Sequence, residues 1–246
     1  MKNKWGRNLS IIQYVTSNEK FKMIFFASIL LCLYGTFGLT LKANNYIDAI
    51  YIVFTFPLFN LLLFSLLLFY TFQVCTLFYD EFDAYQIRLK NKKAYLKELL
   101  KIVILSNLFY LLVFLLLFFI FLNMTNYGYF RIHDWNQYGI NNLIYVLFYM
   151  IRYFIYGILF CLMIALLYRP YHQKSVMLSF VLFLSGFLFC SNTKAEVSTM
   201  LLPWNYYHMV CYDSFQVELL SSFGYFFLLL FVTWLFYQYR YRKRGM

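Results

Sequence analysis

Long apolar runs separated by short polar stretches dominate this chain. The runs and their breaks predict six membrane spans, at about 22–41, 53–78, 102–123, 143–168, 176–192 and 222–238. Roughly 20 apolar residues carry a helix across the hydrocarbon of a bilayer. The fifth run is short for that purpose and needs flanking polar residues or locally thinned lipid. Runs such as FPLFNLLLFSLLLFYTF do not alternate apolar and polar positions. That argues against a β-barrel, whose strands alternate over roughly ten residues. The predicted fold is all-α and integral to the membrane, as a single transmembrane domain over residues 1–246.

The polar stretches carry their own predictions. Residues 1–22 are polar and basic, with no cleavable signal peptide. Within them, WGRNLSIIQYVTSNEKFKM mixes Trp5, Leu9, Ile11, Ile12 and Val15 with basic residues. This predicts an amphipathic N-terminal helix lying in the interface and turning into the first span. Residues 124–142 are rich in aromatics and amides, as suits a segment at headgroup level. Residues 193–221 hold apolar patches too short to span and predict short re-entrant or interfacial helices, broken at Pro203, before the last span. Asn123 opens an Asn-Met-Thr sequence that fits the glycosylation pattern, but it abuts a span and is read as unmodified.

Composition strengthens the membrane assignment. The chain is 63% hydrophobic and 13% charged, against about 25% charged in soluble domains. Its net charge of +11 is distributed unevenly. With both termini cytoplasmic, the inner segments hold 17 Lys and Arg and the outer ones three (Lys42, Arg131, Lys194). This positive-inside bias predicts a multi-pass protein of the cell membrane with an even number of spans. The tail YRYRKRGM then contacts anionic membrane lipids rather than nucleic acid. Richness in Lys, Asn, Ile, Tyr and Phe fits an AT-rich bacterial genome.

Catalytic chemistry finds little purchase. Cys32, Cys75, Cys161, Cys190 and Cys211 show no metal-ligand spacing, and most fall in apolar runs, where a thiol acts as a small hydrophobe. Cys190 and Cys211 both fall near the predicted outer face, either free or bonded. His133, His172 and His208 are scattered through loops without ligand partners, as interfacial polar residues. No GxSxG, HExxH, P-loop or GxGxxG motif occurs. No catalytic site, cofactor site or metal site is therefore expected on this chain. The chemically unusual residue is Arg152, about ten residues inside the fourth span. It either lines a translocation path or snorkels outward. Asn60, Ser65 and Gln73 on the second span are candidates for the same path, or else bond to neighbouring helices.

The charge concentrates between spans two and three. YDEFDAYQIRLKNKKAYLKELLK, residues 79–101, holds ten of the 31 charged residues. Asp80, Glu81 and Asp83 come first and the lysines last, an order that suits a helix dipole. Phe82, Tyr85 and Leu89 form an apolar stripe. Six spans, an amphipathic N-terminal segment and this acidic-then-basic connector resemble type-2 ABC exporter permeases. The long outer segment with LLPWNYY belongs to the same picture. Asp80, Glu81, Lys92, Lys93, Tyr95, Leu96 and Lys97 or Lys101 stand in places comparable to the family's connector, but Ala84–Tyr85 replaces its usual Gly-Thr. The resemblance implies a dimer, with an identical or related second permease, and a separate cytoplasmic ATPase subunit carrying ATP and magnesium. Phe82, Tyr85 and Leu89 would dock on that ATPase, while Asp80, Glu81 and Asp83 would meet its basic residues or cap the helix. The implied cargo is hydrophobic or amphipathic: a peptide, drug or lipid. The rival expectation is a non-transporting membrane immunity or accessory protein that binds a toxin or sensor.

Overall fold

The structure, a computed structural model, describes residues 18–40, 43, 46–86, 92–125, 140–167 and 215–242. Every regular element among them is helical. Helix α1 (Glu19–Leu33) continues as a π-helical turn, Tyr34–Leu39; α2 is Tyr46–Thr55 and α3 Pro57–Gln86. Then follow α4 (Lys92–Asn123), α5 (Asn142–Leu167) and α6 (Phe215–Arg242). Among the described residues, five segments are long and apolar enough to cross a membrane, within α1 with its π turn, α3, α4, α5 and α6. The chain is thus an all-α, multi-pass membrane protein. The expected interfacial helix before residue 18, the fifth span at 176–192 and most of both long outer segments lie outside the described residues.

Local chemistry sets several of the boundaries. Asn18 accepts the Lys20 N–H at 2.9 Å, so α1 starts before its apolar run does. Asn141 likewise accepts the Leu143 N–H at 2.9 Å ahead of α5. The run predicted to begin at 53 is divided, because Pro57 lacks an N–H for the Val53 carbonyl. Phe56 N–H takes that carbonyl at 3.2 Å, closing α2 before α3 begins. The polar connector is not a separate unit over its first part. Residues 79–86 are the last turns of α3, and 92–101 are the first turns of α4.

Pairings between helices give their directions. Phe78 meets Tyr95, Thr71 meets Asn107 and Phe59 meets Phe114, so α3 and α4 are antiparallel. Ser28 with Tyr110 and Cys32 with Phe114 make α1 parallel to α4. Tyr145 and Phe148 meet Phe215, and Arg152 meets Ser222, so α5 and α6 are parallel. These directions gather Lys20, Lys22, Lys92, Lys93, Lys97, Lys101, Arg240 and Arg242 at one end of the bundle. Arg152 is the only Lys or Arg placed in the opposite half among the described residues.

The core is aromatic and closely packed. Phe54, Phe59, Phe114 and Phe118 are fully or almost fully buried, and edge-on or tilted rings interlock them. Such pairs add about 0.5–1.5 kcal/mol each beyond area burial in soluble proteins. Small residues allow the close approaches. A Cβ on Gly35 would stand 2.7 Å from the Phe59 ring, and one on Gly157 would stand 3.0 Å from Phe64.

Candidate functional site

Hydrocarbon offers no water to a polar side chain, so each intramembrane polar group has to find protein partners. Three of the ties that join helices among the described residues centre on Ser28, Thr71 and Arg152. The Ser28 hydroxyl donates to the Ile24 carbonyl at 2.7 Å, leaving its lone pairs for the Tyr110 hydroxyl, also at 2.7 Å. Tyr110 stacks on Tyr70 with centroids 4.8 Å apart, and Phe21 meets Tyr70 edge-on. One tie therefore engages α1, α3 and α4.

Thr71 and Asn107 form the second tie, 3.0 Å apart between α3 and α4 and both fully buried. Thr71 has one hydroxyl proton, which the Leu67 carbonyl takes at 2.9 Å. It cannot also donate to Asn107 Oδ1. Turning the amide makes Asn107 the donor and gives a partner to its otherwise unmatched, buried Nδ2.

The third tie surrounds Arg152. Its Nη1 donates to the Ser222 hydroxyl at 2.8 Å, and the guanidinium lies 5.4 Å from the Phe148 ring centroid and 5.5 Å from that of Tyr149. One turn on, the Tyr156 hydroxyl donates to the Ser222 carbonyl at 2.6 Å. Arg152 lies ten residues into α5, about 15 Å along it. Residues four apart share a face of a helix, so Arg152 and Tyr156 both meet Ser222. The arrangement holds a half-buried cation against a hydroxyl and two aromatic faces, a combination that can attract an anion or an aromatic group.

No family model, curated protein or solved structure matches this chain.

The contacts described for Arg152 stand on α5 and α6, and Ser65 on α3 donates to the Leu61 carbonyl of its own helix at 2.7 Å. Gln73 is half-buried in α3, and the side chain of Asn60 lies outside the described residues. Asp80, Glu81, Phe82, Asp83 and Tyr85 belong to the last turns of α3, but their side chains also lie outside the described ones, as does Leu89 altogether. The sequence did not single out Ser28, Thr71, Asn107, Tyr110 or Ser222. Asn107 carries a readable signal, as an amide within an apolar run; Ser222 carries none. Among the described residues, no group of three or more His, Cys, Asp or Glu is placed to hold a metal ion.

Proposed function

We propose that the chain is the membrane-embedded subunit of an ATP-binding-cassette exporter. In this role it spans the cell membrane six times, with both termini cytoplasmic. As a dimer, it forms the path for a hydrophobic or amphipathic peptide, drug or lipid. A separate cytoplasmic ATPase holds ATP and magnesium and carries out the phosphoryl chemistry. The observation that carries the proposal is the overhang of α3 and α4 at the basic end of the bundle. Past the apolar stretch Leu61–Phe78, α3 continues to Gln86, about 12 Å further. Lys92–Lys101 extends α4 by about 15 Å before its own apolar run. This hairpin carries Asp80, Glu81 and Asp83 on one arm and lysines on the other, a charged projection suited to docking a cytoplasmic partner.

Parallel packing of α5 and α6 supports the sixth span. A chain that leaves α5 at one face and enters α6 at the other has to recross between them, where the run 176–192 is expected.

The test is co-expression with an ATPase encoded beside this reading frame, followed by co-purification and an ATP-dependent transport assay. Phe82→Ala with Tyr85→Ala should lose complex and transport together. Full complex formation and full transport in that double variant would sink the docking assignment. A second reading, a non-transporting immunity or accessory protein, is favoured by the interlocked rings of the core and the inward-turned Ser65 hydroxyl. Protection of cells against a toxin without any ATPase would select it.

A further inference from the structure

A groove of about 480 Å³ lies at the basic end of the bundle, between the start of α4 and the end of α6. Lys93, Lys97 and Lys101 line it at successive turns of α4, and all three are exposed. Leu100, Ile104 and Leu105 continue the same groove toward the apolar part of the helix. Tyr237 of α6 closes the other wall, its ring stacked parallel to that of Tyr241 with centroids 6.4 Å apart.

We propose that this groove binds one anionic phospholipid, its headgroup on Lys97 and Lys101 and an acyl chain along Leu100, Ile104 and Leu105. Two features support that occupant. The groove lining is almost wholly apolar, with the three lysines contributing their stems, and as exposed residues they hold cationic heads beside it for an anionic headgroup. Ile104 and Leu105 stand one to two turns beyond Lys97 and Lys101, so cationic heads and apolar wall lie within about 12 Å along the helix. Glu98 is the one acidic residue among the first ten of α4 and falls on a neighbouring face, outside the groove lining. The site does not depend on what the bundle transports.

Native mass spectrometry of the full chain, released from micelles with equal phosphatidylglycerol and phosphatidylcholine, tests the proposal. The ratio of the two lipid adducts is read within each spectrum, so a loss of stability cannot mimic a loss of selectivity. Phosphatidylglycerol should dominate, and Lys97→Gln with Lys101→Gln should lower its preference roughly tenfold. Lys97→Arg with Lys101→Arg should retain it. Lys20→Gln with Lys22→Gln removes the same charge from the same end and should also retain it. Equal loss in that control, or an unchanged ratio in the Lys97/Lys101 glutamine pair, would overturn the site. So would displacement by soluble glycerol phosphate as effective as displacement by the intact lipid.

Discussion

The hydroxyl of Tyr149 on α5 donates to the backbone carbonyl of Phe54 at 3.2 Å, where α2 gives way to α3. Pro57 interrupts the helical ladder there, and a helix end leaves carbonyls without partners in lipid. Tyr149 supplies one from another helix. Tyr149→Phe keeps the ring and removes the bond. It should lower stability by about 0.6–1 kcal/mol, read from unfolding in mixed micelles with increasing denaturing detergent.

Ser28 and Tyr110 are predicted to be coupled. Ser28→Ala and Tyr110→Phe each break the same 2.7 Å bond, so the double variant should lose less than the sum of the singles. The expected coupling is about 0.6 kcal/mol, the average for polar pairs between membrane helices. Strict additivity in the same unfolding assay would contradict the bond.

Gly35 and Gly224 should respond oppositely to alanine. At Gly35 the new methyl meets the fully buried Phe59 ring at 2.7 Å and Val53 Cγ1 at 3.1 Å, and that ring has no room to retreat. The cost should be about 1–3 kcal/mol. Nothing stands within 4 Å of a Cβ at Gly224, so Gly224→Ala should gain up to about 1 kcal/mol from helix propensity. Thermal unfolding of the two variants side by side checks both signs.

Arg152 gives a prediction that separates burial from function. Ser222→Ala removes the hydroxyl 2.8 Å from Nη1 and should cost about 1–3 kcal/mol, since the cation stays half-buried. Adding Arg152→Leu should restore most of that stability by removing the charge itself. If Arg152 serves the transport path, the stable double variant will still lose transport in vesicles. Retained transport would make the cation structural.

The membrane class was legible because hydropathy over some 20 residues is a local property of the chain. So was the oddity of Arg152, a cation within an apolar run. Its partner was not: Ser222 lies 70 positions away, and no periodicity links the two. The same holds for Tyr149 with Phe54, 95 apart, and for Ser28 with Tyr110, 82 apart. The division of the second run was signalled by Pro57 alone, and proline can kink a membrane helix without ending it. Thr71 and Asn107 show the same limit. Each is recognisable as polar, but only the antiparallel register of α3 and α4 brings them to 3.0 Å.

Among the described residues, the buried apolar core runs from Phe21 to Leu166, and α6 adds Leu229 alone. This distribution bears on the order of synthesis. By the time Leu167 has left the ribosome, nearly all of that core has been delivered to the membrane. The first five helices can close on one another while the rest of the chain is still being made. On that timetable α6 fastens at Arg152 and Tyr156 to helices that have already packed, so a chain cut short after α5 is predicted still to assemble the described core.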